Sequence, residues 1–281
     1  MSESSSLKLN HNFLEIFGSK IHFVTLGRRT NPPLFLIHSF YLSWAVFKPC
    51  LKDLSERFFL VIPDLPGFGE SEMLKAPNNS FNYAQVLEEI RKFLDCRKIS
   101  LYGFSAGGIV VLKYASLHSN SCDKVCEQGA PYFYQDYQVI LRDKLLLWSF
   151  FFPAFPRFLK WLACHHFIWP LIRRISKNLD VTMRTMENGR IERDFARMNL
   201  RAAYEWGRDI LKIDLRYDLG KIICPIEIII GNHDPYLSLA SIFRMSGFIK
   251  DCRVMVLEGG DHEMTIKDPD LIVGKLTEFL K

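Results

Sequence analysis

The sequence predicts an α/β fold in which a mostly parallel sheet is flanked by helices. Short apolar runs alternate with amphipathic stretches from residue 13 to residue 130. This alternation stops near Pro131 and resumes at Cys224, so the sheet is interrupted once. A Gly-x-Ser-x-Gly pattern also stands between one predicted strand and the helix that follows it. Strands that alternate with helices indicate βαβ units and a parallel sheet.

The first elements are two β-type runs, Phe13–Ile16 and Ile21–Thr25. The compact apolar runs 33–38 and 58–63 are typical of buried parallel strands. Between them, residues 43–56 carry apolar side chains at helical spacing, which predicts one amphipathic helix.

The later elements repeat the same alternation on both sides of the interruption. They are a helix over 82–95, a strand over 98–102, a helix over 106–118, a strand over 224–230, a helix over 237–247, a strand over 252–257 and a helix over 269–279. Lys124–Gly129 is more polar than the buried strand expected there, which predicts a short strand. We therefore expect a sheet domain over 1–131 and 219–281, and a helical insertion over 132–218.

Composition narrows the class of protein. The 281 residues are 48% hydrophobic and 24% charged, which is typical of a globular chain with a large core. The net charge of +5 is spread without a Lys/Arg run, so nucleic acid is not an expected partner. Seven cysteines without zinc-ligand or disulfide spacing predict free thiols and no metal site. The polar N-terminus lacks the features of a secretory signal, so we expect a cytoplasmic location.

The pattern Gly103-Phe-Ser105-Ala-Gly107 identifies a candidate nucleophile. A serine at a sharp strand–turn–helix projects its hydroxyl above the sheet edge, and the glycines let strand and helix approach closely. The helix N-terminus adds backbone N–H groups and a positive dipole beneath a developing oxyanion. The alternative is a glycine-flanked turn in which Ser105 only caps the helix.

A serine nucleophile needs a base, and the base needs a carboxylate that orients it. Asp234 follows the strand that ends at Ile230, and His262 follows the strand that ends near Leu257. Both would lie at the carboxyl edge of the sheet, as would Ser105. We therefore predict Ser105, Asp234 and His262 as nucleophile, acid and base.

Other residues compete for these roles. Asp234 could be a turn residue before Pro235, and Asp261 is its local rival as the acid. Because Asp261 is adjacent to His262, its side chain should point away from the same ring edge. His233 is more typical of a loop residue than of a base, and His262 itself could be a surface loop residue. For His165 and His166 in the insertion, local packing is favoured over contact with substrate.

Acyl transfer also needs two donors where negative charge develops. One expected donor is the backbone N–H of Ala106, the residue after the nucleophile. The other is the N–H of Phe40, in the loop after the strand 33–38.

Five motifs together resemble the α/β-hydrolase superfamily, most closely its serine esterase, lipase and carbon–carbon hydrolase branch with a helical cap. They are His38-Ser39, Asp64-Leu-Pro-Gly67-Phe-Gly69-Glu-Ser71, Gly103-Phe-Ser105-Ala-Gly107, Gly231-Asn-His-Asp234 and Gly259-Gly-Asp-His262. The resemblance covers about residues 13–130 and 215–281. It implies an eight-stranded mostly parallel sheet, an inserted cap, an acyl-enzyme and no cofactor.

One departure from the family pattern concerns the oxyanion loop. The family usually has glycine where this chain has Ser39, and the backbone angles of such a glycine would cost a serine about 1 kcal/mol or more. The expected results are a differently shaped oxyanion hole or a Ser39 hydroxyl that serves as an extra donor. Branches with an aspartate nucleophile, such as epoxide hydrolases and haloalkane dehalogenases, are disfavoured because position 105 is serine.

The insertion is rich in aromatic residues. Between Leu145 and Ile172 they are Trp148, Phe150, Phe151, Phe152, Phe155, Phe158, Trp161, Phe167 and Trp169. The uncharged run Leu145–Pro156 is too short to span a bilayer. We favour a cap that roofs an apolar pocket. The alternative is peripheral contact with a membrane, in which Arg157, Lys160, Arg173 and Arg174 lie near lipid headgroups. Residues 191–211 predict one further cap helix.

These features predict a carboxylesterase- or lipase-like serine hydrolase that cleaves an ester or related acyl bond of a small hydrophobic acyl or aromatic substrate. A carbon–carbon bond hydrolase would use the same residues. A non-catalytic ligand-binding or scaffold protein is the alternative from another class, because a fold does not determine a function. The sequence does not determine the oligomeric state.

Overall fold

A single sheet of eight strands organises the protein, for which a computed structural model describes residues 7–136 and 190–281. The strands are β1 (Asn10–Ile16), β2 (Ser19–Leu26), β3 (Pro33–Ile37), β4 (Phe59–Pro63), β5 (Ile99–Phe104), β6 (Cys122–Gln128), β7 (Ile226–Gly231) and β8 (Cys252–Leu257). Their spatial order is β1-β2-β4-β3-β5-β6-β7-β8. The β1–β2 and β2–β4 pairs are antiparallel, and all other pairs are parallel. This confirms the predicted α/β fold with a mostly parallel sheet.

Helices cover both faces of this sheet. They are a 3-10 helix (Trp44–Cys50), α1 (Leu51–Ser55), α2 (Ser80–Phe93), α3 (Ala106–Leu117), α4 (Arg190–Arg197), α5 (Leu200–Ile210), α6 (Arg216–Leu219), α7 (Leu239–Ser246), α8 (Met264–Lys267) and α9 (Pro269–Leu280). Alternate residues of β3 enter two separate apolar clusters, with Leu34 and Leu36 in one and Phe35 and Ile37 in the other. This alternation is expected when both faces of a strand are buried.

Two predictions about single elements were wrong. The stretch 43–56 is not one helix, since it begins as the 3-10 helix and continues as α1. Pro49 lies inside the 3-10 segment, where it lacks the N–H that a regular α-helix would use. The polar strand expected to be short is β6, which runs for 7 residues. Its last two polar side chains are buried, and Glu127 accepts a hydrogen bond from the Ala130 N–H while Gln128 donates one to the His262 carbonyl.

The segment predicted as one helix over 191–211 is two helices, α4 and α5. Asn199 separates them and caps α5, because its Oδ1 accepts hydrogen bonds from the N–H groups of Arg201 (3.0 Å) and Ala202 (3.2 Å). Its own N–H donates to the Gly67 carbonyl at 2.7 Å. Met198, which directly follows α4, and Trp206 of α5 are both fully buried, so the apolar side of this segment continues across the break.

The two ends of the predicted insertion are joined by a short stem, which consists of residues 132–134 and 213–215. Phe133 and Asp214 form an antiparallel bridge. The Leu215 N–H donates to the Tyr132 carbonyl at 2.8 Å, and the Tyr134 N–H donates to the Ile213 carbonyl at 2.9 Å. The aromatic stretch 145–172, His165 and His166 lie outside the described residues. In residues 7–136 and 190–281, no helix is long and apolar enough to cross a membrane.

Candidate active site

Ser105 lies at the turn between β5 and α3 in a strained backbone conformation. Its φ of 54° and ψ of −116° fall where residues other than glycine are rare, at a cost of about 1–3 kcal/mol. Two hydrogen bonds hold the turn. The Ser105 N–H donates to the Gln128 carbonyl at 2.7 Å, and the Gly108 N–H donates to the Ser105 carbonyl at 2.8 Å. The turn is therefore fastened to β6, the neighbouring strand.

The glycines around Ser105 permit direct backbone contact. A Cβ atom at Gly103 would lie 2.6 Å from the Gly107 carbonyl oxygen. A Cβ atom at Gly107 would lie 2.6 Å from the His38 carbonyl oxygen and closer still to that of Ile37. The start of α3 thus packs against the end of β3 and the loop that follows it, which is the loop expected to supply an oxyanion donor.

The structure brings together the three residues predicted as nucleophile, base and acid. The Ser105 Oγ lies 2.8 Å from the His262 Nε2, and the His262 Nδ1 lies 2.7 Å from the Asp234 Oδ2. Because an ionised carboxylate only accepts, the Nδ1–H donates to Asp234 and the Nε2 is left to accept from the Ser105 hydroxyl. The Asp234 side chain is 1% exposed and that of His262 is 11% exposed, so the pair is shielded while the imidazole remains reachable.

Asp234 is held by backbone donors. Its Oδ1 accepts hydrogen bonds from the N–H groups of Tyr236 (2.8 Å) and Leu237 (3.0 Å), which leaves the Oδ2 for His262. The Tyr236 ring contacts the His262 ring edge to face, with 4.7 Å between centroids. The imidazole is therefore fixed both by the carboxylate and by an aromatic neighbour.

The rival residues lie elsewhere. The Asp261 carboxylate pairs with the Lys267 ammonium and accepts the Glu263 N–H at 2.8 Å, so it faces away from the His262 ring as expected. The His233 N–H donates to the Gly260 carbonyl at 2.9 Å, which ties the Asp234 loop to the His262 loop. Within the described part of the chain, no cluster of His, Cys, Asp or Glu could hold a metal ion.

The two backbone N–H groups predicted as oxyanion donors are those of Ala106 and Phe40. Ala106 is the first residue of α3, and its N–H therefore has no carbonyl partner within the helix. Neither the Ala106 N–H nor the Phe40 N–H donates to an acceptor in residues 7–136 and 190–281. The Phe40 ring packs against Phe68 and Trp206, at centroid distances of 5.7 Å and 5.3 Å, and this packing anchors the loop.

The strain expected at Ser39 is absent. Ser39 does not have a positive φ, and the residue in this loop that does is Tyr41, at 65°. The loop turns two residues after the family's usual glycine, and so the serine needs no unusual backbone angles. The Ser39 hydroxyl has no hydrogen-bond partner among the described residues, so it stays available as a donor.

His38 fixes the start of this loop. Its Nε2 accepts the Leu65 N–H at 2.9 Å, and its Nδ1 therefore carries the proton that it donates to the Ser39 carbonyl at 2.8 Å. Burial lowers the pKa of His38, against the opposing effects of Asp64 and the Ser39 carbonyl, so the ring is neutral. His38 supports the loop and is not a second base.

Sequence reasoning missed two buried residues beside the site, Glu127 and Gln128. Burial raises the pKa of Glu127 to about 8; the Ala130 N–H, which donates to it at 2.8 Å, acts in the opposite direction, and the nearby Asp234 adds to the increase. Gln128 contacts the backbone of both Ser105 and His262. The available signal was the polar character of Lys124–Gly129, because polar residues on a central strand need specific partners.

Comparison with known proteins supports the α/β-hydrolase fold. The family model described as the alpha/beta hydrolase fold matches residues 32–163, which include Ser105 and its turn. The chain has the fold of the α/β hydrolases. The chain is 20% identical to Epoxide hydrolase 2 of Caenorhabditis elegans over 285 residues, covering 96% of this chain and 80% of the relative.

Solved structures that are named for different activities share this fold. The epoxide hydrolase CorEH has a TM-score of 0.77 at 19% identity, covering 97% of this chain and 98% of that one. The naproxen esterase (carboxylesterase NP) of Bacillus subtilis has a TM-score of 0.75 at 15% identity, covering 98% and 93%. At these identities the likeness shows the fold alone. The names of these two proteins have hydrolysis in common.

Proposed function

We propose that this protein is a serine hydrolase that cleaves a carboxylic ester or a related acyl bond of a hydrophobic substrate. The observation that carries the proposal is the continuous hydrogen-bonded series from the Ser105 Oγ through His262 to Asp234, with distances of 2.8 Å and 2.7 Å. A hydroxyl, a neutral imidazole and a buried carboxylate in this order form the arrangement by which serine becomes a nucleophile.

The chemistry would begin with proton transfer from the Ser105 hydroxyl to the His262 Nε2 as Oγ attacks the carbonyl carbon. The Phe40 and Ala106 N–H groups would donate to the oxyanion. His262 would then protonate the leaving group, and the acyl-enzyme would form on Ser105. A water molecule, deprotonated by His262, would release the acid and regenerate the serine. Every step uses side chains and backbone groups alone, so no cofactor is required.

The identity of residue 105 separates this proposal from the activity named in several relatives. Epoxide hydrolases are among the branches that use an aspartate as the nucleophile, whereas residue 105 of this chain is a serine. A serine alkoxide suits attack on a carbonyl carbon, which supports acyl transfer. The esterase with the same fold, though only 15% identical, is compatible with this assignment.

The proposal extends to the substrate and the domain organisation. We assign residues 132–218 to an inserted cap, and the aromatic stretch 145–172 to the recognition of an apolar acyl or aromatic group. The location proposed is cytoplasmic, and contact with a membrane surface through the insertion is the alternative. Esters with long acyl chains as preferred substrates would favour the membrane alternative, and short ones would weaken it.

A fluorophosphonate probe tests the proposal, because it reacts with an activated serine. Wild-type protein should be labelled, while Ser105→Ala should not be labelled and His262→Ala should be labelled at least about 10³-fold more slowly. Ser116→Ala is the control, since this buried serine bonds to Asp218 away from the site and its loss should leave labelling intact. Unlabelled wild-type protein would favour the ligand-binding alternative.

A screen of p-nitrophenyl esters of increasing chain length would then define the acyl group. If the labelled enzyme cleaves none of these esters, the carbon–carbon bond hydrolase that uses the same residues becomes the better assignment.

A further inference from the structure

Gln128 is a fully buried residue that touches the backbone of both the nucleophile and the base. It ends β6, which lies next to β5 and is separated from β8 by β7. Its carbonyl oxygen accepts the Ser105 N–H at 2.7 Å. Its side-chain Nε2 donates to the His262 carbonyl at 2.8 Å. One residue therefore links two catalytic loops that come from different strands.

The orientation of the Gln128 amide is determined by its surroundings. The Oε1 accepts from the hydroxyls of Tyr102 (3.0 Å) and Thr265, which themselves lie 2.6 Å apart. A flipped amide would place Oε1 against the His262 carbonyl, where two acceptors would face each other. The Nε2 must therefore point to His262. Tyr102 and Thr265 are 1% and 0% exposed, so water does not compete for these contacts.

The loop that carries His262 depends on such contacts because it contains two glycines, Gly259 and Gly260. Gly259 has a φ of 70°, and a Cβ atom at that position would meet nothing within 4 Å, so packing does not confine it. Its N–H donates to the Asn232 Oδ1 at 2.8 Å. The Gly260 carbonyl is held by the His233 N–H, which fixes the start of the loop. The His262 carbonyl is held by Gln128. The backbone under the imidazole thus rests on the Gln128 amide.

We propose that Gln128 is a positioning residue for the reaction, an inference that rests on the proposed serine hydrolase function. Its backbone carbonyl fixes the position of the Ser105 turn, and its side-chain amide fixes the backbone of His262. The Ser105 Oγ and the His262 Nε2 are thereby held at hydrogen-bond distance. The residue touches no substrate and transfers no proton. It acts by setting the distance between the Ser105 hydroxyl and the His262 imidazole. A displacement of about 1 Å between reacting groups can lower the rate about 10²-fold.

The substitution Gln128→Met tests the inference, because methionine is near-isosteric and offers no donor to the His262 carbonyl. The rate of fluorophosphonate labelling and the kcat for the best p-nitrophenyl ester should each fall by about 10²-fold, with KM nearly unchanged. Gln128→Glu is the second variant, and it keeps the side-chain volume and the oxygen that faces the two hydroxyls. A protonated carboxyl can donate to the His262 carbonyl. The kcat of Gln128→Glu, relative to that of wild type, should therefore be higher at acidic than at alkaline pH.

Tyr114→Phe is the matched control for stability. It removes one buried hydrogen bond, from the Tyr114 hydroxyl to the Glu88 Oε2 at 2.9 Å, far along α3 from the site. It should lower Tm and leave kcat unchanged. Tyr114→Phe and Gln128→Met are both measured at temperatures well below their Tm values. The inference would be overturned if Gln128→Met had the same kcat as Tyr114→Phe, or if only its KM changed. Wild-type protein that resists the probe would instead overturn the proposed function.

Discussion

At the scale of single residues, Glu127 is a buried carboxyl next to the proposed acid. Its Oε2 accepts the Ala130 N–H, but its Oε1 has no hydrogen-bond partner in the described residues. With its pKa raised to about 8, chiefly by burial, the side chain keeps its proton at neutral pH. A neutral Glu127 adds no second negative charge beside Asp234.

This proton makes the stability of the protein depend on pH. In the unfolded chain Glu127 has its ordinary pKa near 4.5, whereas in the folded protein the pKa is about 8. Its contribution is fully present below the lower value and is lost as pH rises through the higher one. Glu127→Gln has no proton to lose. Its free energy of unfolding should therefore exceed that of wild type by a growing amount as pH rises from about 4.5 to about 8. The slope should approach about 1.4 kcal/mol per pH unit, measured by urea unfolding at a series of pH values.

Glu88→Gln provides the opposite control. Although burial opposes it, hydrogen bonds from Arg91 and Tyr114 lower the pKa of Glu88. Its contribution to stability should therefore be present at neutral pH and disappear in acid. A Glu127→Gln variant whose stability follows wild type at every pH would contradict the assignment of a neutral Glu127.

The sequence pointed to the residues of the candidate site more clearly than to the buried residues that hold them in position. Ser105, Asp234 and His262 were identifiable because each follows a strand in a fixed chain order. Glu127 and Gln128 could not be given roles, because a polar pair in a strand does not reveal which neighbours the side chains will meet. The position of the strained residue in the oxyanion loop, at Tyr41, was also hidden, since tyrosine carries no signal for a positive φ.

At the scale of elements, the turn at Ser105 depends on the contact between α3 and β3. Gly107→Ala would place a methyl group against the carbonyl oxygens of Ile37 and His38, which are backbone atoms that cannot rotate away. We expect the variant to lose about 1–3 kcal/mol of stability, and activity to fall because the turn shifts. Urea unfolding and probe labelling measure the two effects.

Gly274→Ala is the matched control for this substitution. Gly274 lies in α9, and an added Cβ would meet nothing within 4 Å. The same chemical change should there stabilise the protein by about 1 kcal/mol, because alanine favours a helix over glycine. Equal effects of the two substitutions would mean that the crowding at Gly107 is relieved by movement of the backbone.

Periodicity predicted most elements and failed where the apolar side of a segment continues across a break. Met198 and Trp206 both face the core across the break between α4 and α5, so the helical spacing continues although the helix does not. The break is set by the Asn199 cap and by its N–H bond to Gly67, a contact from a distant part of the chain. Contacts of that kind cannot be recognised from local sequence.

At the scale of the whole molecule, the alternation of elements predicted the sheet but not all of its connections. The pair Cys122 and Cys224 is an example, since the residues are 102 positions apart and their Sγ atoms lie 3.4 Å apart. Both are buried, at 1% and 5% exposure. They stand where the chain enters β6 and where it approaches β7, so the segment between them includes the whole predicted insertion.

Mild oxidation with diamide should therefore join Cys122 to Cys224, with two thiols losing two hydrogens to the reagent. A cross-link that closes a loop of this length should raise Tm by about 10 °C, on the chain-entropy model. Mass spectrometry of non-reduced peptides and a thermal scan check both effects, and Cys122→Ser serves as the control. An unchanged Tm in fully oxidised protein would show that strain in the folded state cancels the gain.

The stem formed by residues 132–134 and 213–215 has a consequence for chain length. Because its backbone hydrogen bonds hold the two ends of the insertion side by side, the sheet meets the same pair of ends whatever lies between them. Doubling the length of a flexible closed loop costs only about 0.6 kcal/mol. Proteins of very different size can thus be built on one sheet of this kind. The added residues are confined to the insertion, and the spacing of the proposed catalytic residues at the sheet edge is preserved.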